Sequence, residues 1–290
     1  MIKIGILGTD NSHSIGFSRI FNVKGEKEHI PGGRVVAVFG LDEGRTKEVA
    51  GKGEIPTIVD DPKDMIGMID AAIVDFRRGS QHWKYSKPLI EAGIPTFIDK
   101  PFASSTADAN KIIRLAKEKK VPITNFSSVR FSDAMKDFKR QLKKIGRVGT
   151  VVIHGPGSTK DPYDGIFFYA VHQVELMLEA FGDDVKSARG RDHDGTLVAA
   201  VTYRNGMLAT IHEICTGWPT AGAVACGEDG EAVYDASKAQ NGFFNKTKLI
   251  MKMFKTGEMP RPYEDLTIST RVLVAINKSM ESGGKEVPIR

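Results

Sequence analysis

AAIVDFRRGSQHWKYSKPLIEAGIPTFIDKP, residues 71–101, decides the fold. A short, mostly apolar run (AAIVDF) gives way to an amphipathic stretch through Trp83 to Ala92, and then to a second short run, PTFID. Each run suits a buried strand, and the spacing between them leaves room for one helix and little else. Strand, helix, strand at that interval is the unit of a parallel sheet. Outward from this stretch the alternation repeats. KIGILG reads as a strand followed by a helix through Phe17 to Phe21, and RVVAVFGL as a strand followed by a charged helix around Arg45 to Val49. On the other side come a helix from Ala107 to Lys120 and the strand VPITNF. The expectation is an α/β domain over residues 1–124, a parallel sheet with helices on both faces.

From about Val148 the pattern changes. TVVIHGPG reads as a strand, and GIFFYAVHQVELMLEAFG as a helix with an apolar stripe closed by Gly182. GTLVAAVTY and MLATIHEIC alternate on either side of Arg204-Asn205-Gly206, and Asn-Gly between alternating strands is a hairpin signal. AGAVACG and EAVYD add further strands, and helices near Asn245 to Lys255 and Leu266 to Ser282 close the chain. Residues 125–290 therefore read as an α+β domain on a largely antiparallel open sheet, with the C-terminal helix packing back.

Length and composition agree with two domains, since 290 residues at 41% hydrophobic and 27% charged are ordinary globular values. No apolar run approaches the ~20 residues of a membrane helix. MIKIGILG lacks a basic region followed by a long apolar core, so no secretory signal is expected. Cys215 and Cys226 read as free thiols in a reducing cytoplasm rather than a disulfide framework. The net charge is +5, and Lys111 to Arg147 holds twelve Lys or Arg against Glu118, Asp133 and Asp137. These bases sit at helical spacing around Ile112, Ile113, Leu115 and Phe138, so they read as solvated helix faces. No aromatic stacking series accompanies them, and no nucleic-acid partner is expected.

The stretch FIDKPFASSTADANKIIRLAKEKKVPI resembles the glucose–fructose oxidoreductase/inositol dehydrogenase (Gfo/Idh/MocA) family, whose Glu-Lys-Pro signature appears here as Asp99-Lys100-Pro101. SSVRFSDAMKDFKRQL, the helix containing His172, GTLVAAVTYRNGMLATIHE, AGAVACGEDGEAVYD and TGEMPRPYEDLTISTRVLVAINKSMESGGKEVPI resemble later family segments in the same order. The resemblance implies a Rossmann-type domain, an NAD or NADP cofactor, a polyol or sugar-like substrate, and a homo-oligomer, dimer or tetramer. It also implies that Lys100 hydrogen-bonds the substrate hydroxyl and nicotinamide and assists proton transfer, with His172 as general base.

The residues themselves add support and departures. Lys100 ends a parallel strand, where open α/β sheets bind ligands, and Pro101 restricts its backbone. An imidazole suits a proton acceptor near neutral pH, and Glu175 shares the face of His172. The family's catalytic Asp falls at Phe168, which handles no proton; Tyr169 and Asp164 are the substitutes at hand. GTDNSHS, residues 8–14, occupies the nucleotide loop with one glycine. Gly8 supplies the turn, Asp10 and His13 stand where the second and third glycines are expected, and Asn11, Ser12 and Ser14 are candidate caps and anion donors for the following helix. The ribose-gripping acid is replaced by Gly40, with Asp42 two residues on and Arg45 a candidate for a 2′-phosphate. Arg77 or Arg78 is a partner for Asp10 or for phosphate. The expected site set is catalytic Lys100 and His172, with Gly8, Asp10, Asn11, Ser12, Asp42, Arg77, Asp99 and Pro101 at the cofactor. Asp10, His13, His82 and Asp99 share one sheet edge but lack metal-ligand spacing, so no metal is expected. A lyase or epimerase on this scaffold, or a non-catalytic sugar or nucleotide sensor, remains open beside the dehydrogenase reading.

Overall fold

The computed structural model describes residues 1–217 and 221–290. The chain divides into two compact units. The first comprises Met1–Ala103, Ala107–Phe126 and Lys246–Thr267, the second Ser104–Thr106, Ser127–Asn245 and Ile268–Arg290. Lys246–Thr267 thus belongs with the first unit although it comes late in the chain, beyond the expected division at residue 124.

The first unit holds β1 (Ile2–Leu7), β2 (Gly33–Phe39), β3 (Thr57–Ile58), β4 (Ala71–Val74), β5 (Thr96–Ile98) and β6 (Ile123–Thr124), with α1 (His13–Asn22), α2 (Glu43–Lys52), α3 (His82–Glu91) and α4 (Thr106–Lys119) between them. The strands lie in the order β3-β2-β1-β4-β5-β6 and every pairing is parallel. All four residues of β4 and all three of β5 are buried, as expected where helices cover both faces of a parallel sheet. Two-residue β3 escapes a reading from pattern because it has no period to display. The order reverses between β1 and β4, so the turn after β1 and the ends of β4 and β5 share the edge at which such sheets bind ligands.

The second unit contains α5 (Asp133–Leu142), β7 (Val148–Pro156), α6 (Ile166–Phe181), β8 (Val185–His193), β9 (Thr196–Tyr203), β10 (Leu208–Ile214), β11 (Gly222–Gly227) and β12 (Gly230–Asp235). After these come α7 (Gly242–Thr256), most of which lies in the first unit, then α8 (Ile268–Glu281) and β13 (Val287–Pro288). The sheet order is β12-β11-β7-β10-β9-β8-β13, antiparallel except where β10 pairs with β7. The β9–β10 hairpin turns at Asn205-Gly206, with Gly206 at φ +91° and the Asn205 side chain accepting from the Met207 amide. Val151, Ile153, Ala199, Val201, Ala209 and Ile211 point inward and share a core with Val171 and Val174 of α6 and Val272 and Ile276 of α8.

Candidate active site

The turn after β1 begins at Gly8, whose φ of +106° suits glycine alone. A Cβ there would sit 2.7 Å from the backbone of Asp75 and Phe76, so the turn is wedged against the end of β4. Asp10 is held by the Arg77 amide, which donates to its carboxylate at 3.2 Å. This bond is made by the main chain of Arg77, where the sequence suggests a side-chain pairing by Arg77 or Arg78. Ser12 is the N-cap of α1 but makes no side-chain cap bond; Asn11 takes that part, its Oδ1 accepting from the His13 amide at 3.3 Å. Ser14 is turned back onto the Asn11 carbonyl. No acidic residue occupies the first turn of α1, whose amide end is favourable for an anion.

The loop's other side chains turn inward, to a buried charge cluster. Asn11 Nδ2 donates to Asp75 Oδ1 at 3.0 Å. His13 Nδ1 lies 2.8 Å from Asp99 Oδ2 and 4.0 Å from Asp75 Oδ1. Lys246 reaches in from α7 and donates to Asp99 Oδ1 at 3.0 Å, both side chains being fully buried. The Lys246 ammonium also lies over the Phe17 and Phe97 rings, 4.8 and 5.4 Å from their centroids, which eases its burial. Asn125 fixes the strand end by donating to the Ile98 and Asp99 carbonyls. Lys100 follows, buried, with a cis peptide to the buried Pro101.

The electrostatics separate the two carboxyls. Burial works against ionised Asp99, but the charges of Lys246 and His13 and the bond from His13 hold it well below the usual carboxylate range. Asp75 is pushed well above that range by burial and by the Asp99 charge beside it. Burial lowers Lys100, with Asp99 and Asp75 opposing. His13 is lowered by burial, while Asp99 resists and Lys246 and Lys100 reinforce the drop. The result is a lysine at the sheet edge whose ammonium gives up its proton more readily than an ordinary one, which suits a proton-handling amine.

His13, Asp75 and Asp99 have ligand-type atoms within 4.8 Å of one another. Lys246 already occupies one Asp99 oxygen and Lys100 adds positive charge, so an added cation would meet repulsion at close range. Asp10 and His82 stand apart from this group: Asp10 is on the Arg77 amide, and His82 is buried between the carbonyls of Phe76 and Phe102.

Along the same edge Thr9, Asp10, Leu41, Asp42, Phe76, Arg78 and Gln81 line a pocket of about 250 Å³. A Cβ on Gly40 would collide with the Thr9 and Thr46 hydroxyls, which are 3.1 Å apart, so no acid fits there. Asp42 caps α2 by accepting from the Arg45 amide and also lines the pocket. Arg45 is not held out toward a 2′-phosphate. Its guanidinium donates to the Thr9 and Asn11 carbonyls and to Glu48, bracing the loop from below. A dinucleotide thus finds a glycine turn, an amide-ended helix and a ribose-side carboxylate. Asp10 is the feature that opposes it.

In the second unit, His172 lies on α6 with Nδ1 2.8 Å from Ser127 Oγ. Ser127 meets that ring nitrogen, whereas Glu175 bonds Arg130, whose side chain is 5% exposed and also donates to Glu179. Glu175 therefore ties α6 to Arg130 and also accepts from the amide of Ser127, the residue that meets the imidazole. Phe168 is buried against Tyr163 and Tyr169, and Asp164 accepts from Ser104 at 2.6 Å. Three members of the buried cluster were outside the expected site set: His13, Asp75, and Lys246, which lies 147 residues from its partner. A local signal did exist for the latter. Lys246 shares a helical stripe with Ile250 and Met253, both fully buried, and a lysine within an apolar stripe asks for a partner.

Residues 2–126 match the model of an oxidoreductase family with an NAD-binding Rossmann fold, GFO_IDH_MocA. Inositol 2-dehydrogenase 1 of Saccharopolyspora erythraea is 26% identical over 216 residues, spanning 73% of this chain and 57% of that protein. Oxidoreductase YhhX of Escherichia coli is 26% identical over 166 residues, spanning 51% and 48%. The chain therefore covers about half the length of these curated relatives. Among solved structures, myo-inositol dehydrogenase from Lactobacillus casei in complex with NAD(H) and myo-inositol superposes with a TM-score of 0.84 at 18% identity, over 100% of this chain and 97% of that one. GenD2 from gentamicin A biosynthesis, in complex with NAD, gives 0.86 at 13% identity, over 100% and 96%. At those identities the likeness establishes a shared fold.

Proposed function

We propose, from the match of residues 2–126 to the GFO_IDH_MocA oxidoreductases with an NAD-binding Rossmann fold, that the chain is an NAD-dependent dehydrogenase of a cyclitol, sugar or related polyol. The observation that carries the reading is Lys100, buried at the carboxyl end of β5 with its basicity lowered by that burial. NAD, when bound, supplies the hydride acceptor. Gly8, the amide end of α1 and Asp42 would hold it, with Asp10 and Ser12 at the loop. NAD is favoured over NADP because Arg45 is committed to the loop carbonyls and Glu48. Asn11 and Asp99 support the loop and strand end from within, Pro101 sets the main chain beside Lys100, and the Arg77 amide fixes Asp10.

Lys100 on the first unit and His172 on the second are the proton-handling residues of this reading. A lysine whose ammonium is disfavoured by burial is present as the neutral, proton-accepting amine more often than an ordinary one. Ser127, within hydrogen-bond distance of Nδ1, orients the imidazole of His172. The inositol 2-dehydrogenases among the relatives support a cyclitol substrate. Val152, Val198, Leu208, Val224 and Val233 lie exposed on the sheet of the second unit and support association with a second copy. Cys215 and Cys226 are free thiols, outside any disulfide, and fit a cytoplasmic setting.

The test is oxidation of a panel of inositol isomers, aldoses and alditols with NAD⁺ or NADP⁺, followed by nicotinamide absorbance. Turnover with NAD⁺ and a cyclitol, lost on Lys100→Met, is the expected result. If NADH binds but no polyol is oxidised, the dehydrogenase reading falls and the lyase, epimerase or sensor alternatives take its place.

A further inference from the structure

His13 stands where a dinucleotide loop has its third glycine, and the local chemistry gives that departure a purpose. It is the first residue of α1, at the end of the helix that favours anions. Its side chain is 22% exposed, while Asp75 and Asp99 beneath it are fully buried, so His13 is the member of this trio that reaches solvent. Its Nδ1 faces two carboxyls, Asp99 at 2.8 Å and Asp75 at 4.0 Å. Asp75 Oδ2 is buried and has no hydrogen-bond donor among the described residues.

We propose that His13 is a cofactor-binding residue that acts by protonation: the chain binds an anionic dinucleotide with His13 as imidazolium, seated on Asp99 and Asp75. The inference rests on the dinucleotide reading above and adds to it a charge that no glycine loop supplies. Every charged group facing His13 enters the balance. Asp99 after β5 favours the imidazolium, whereas Lys246 from α7 and Lys100 oppose it, and Asp75 after β4, 4.0 Å away, is itself held toward its protonated form. Asn11 contributes a neutral amide and Phe17 a ring edge. In the free protein burial outweighs Asp99, with the two lysines adding to it, so His13 holds its proton less readily than an ordinary histidine. A pyrophosphate brought to the end of α1 adds negative charge beside Asp10, and that charge shifts the balance toward the protonated ring. The proton comes from solvent, and no bond other than N–H is made.

Calorimetric titration of the full chain with NADH tests this, in buffers of equal pH but different ionisation heats. The expected result is uptake of about one proton per NADH near pH 7, with affinity weakening about tenfold per pH unit between the free and bound pKa values. His13→Gln keeps an amide for Asp99 and should bind without proton uptake, at an affinity that no longer follows pH. NADH binding without proton uptake, or uptake that persists in His13→Gln, overturns the proposal and leaves the dinucleotide reading standing. Failure of NADH to bind at any pH from 6 to 8 overturns both. Should the variant not fold, histidine ring NMR of the native chain decides. One of the seven histidines must move to its protonated position on NADH addition, and none doing so is the contrary result.

Discussion

At the scale of single residues, Lys246 and Asp99 show how the cluster is held. Two opposite charges 3.0 Å apart, both fully buried, are tolerable together and costly apart. Lys246→Met keeps the volume of the side chain but strands Asp99 with only part of its compensation. The expected loss is about 3–5 kcal/mol in urea unfolding, with much of it recovered in the double variant Lys246→Met/Asp99→Asn. A loss below about 1 kcal/mol would mean that His13 and Lys100 alone sustain the Asp99 charge. Lys100 was legible in the sequence because strand end, lysine and proline are contiguous. Its setting was not, since the cluster is assembled from four chain segments and only His13 and Asp99 among its distant members had been considered together. Gly40 teaches a related lesson. The missing acid looks like lost function in the sequence, yet the structure gives a packing cause, the Thr9–Thr46 hydroxyl pair standing where a Cβ would go.

At the scale of elements, the strands and helices were legible where a period was long enough to be counted. The βαβ alternation and the Asn205-Gly206 hairpin appear where expected, and Gly182, at φ +85°, ends α6 as expected. The choice of His172 partner was less legible, because Glu175 shares its helix face and only tertiary structure assigns that carboxylate to Arg130. β10 presents a titration of its own. Glu213 faces inward and is fully buried, and burial together with the nearby Asp161 charge pushes its pKa up to about 9. The folded state therefore keeps a proton that the unfolded chain releases above its ordinary value of 4.5. Between those limits the unfolded state binds fewer protons, so stability falls as pH rises, by at most roughly 1.4 kcal/mol per pH unit from this group. Glu213→Gln removes that dependence. The variant and native chain should unfold at similar urea concentrations at pH 5, and the variant should be the more stable by a few kcal/mol at pH 8. Parallel pH profiles for the two would show that Glu213 ionises in place.

At the scale of the whole molecule, the sheet of the second unit carries an asymmetry that the sequence shows only as alternation. One face meets α5, α6 and α8, while the other presents an apolar row. Val152 pairs across to Val224 and Val224 to Val233, so these three side chains lie side by side on adjacent strands. Thr210 and Ala200 continue the row across β10 and β9, Leu208 and Val198 lie two residues along from them on the same face, and the four valines and Leu208 are 37–47% exposed. An apolar row on a seven-stranded sheet is costly to leave in water and would be matched by a copy of itself, since a two-fold axis brings like side chains together. The formal charge of +5 opposes association at long range, but no charged side chain belongs to the Val152–Val224–Val233 row, so contact there desolvates apolar surface first. Val224→Asp places a carboxylate in the middle of the row. In a self-paired interface each such change is present twice, and two like charges would face across the axis. Light scattering at micromolar concentration should give a dimer or tetramer for the native chain and about 31.7 kDa for the variant, with circular dichroism unchanged. A native chain that already scatters as a monomer would remove the second copy from this face and leave the valines as ordinary exposed strand residues.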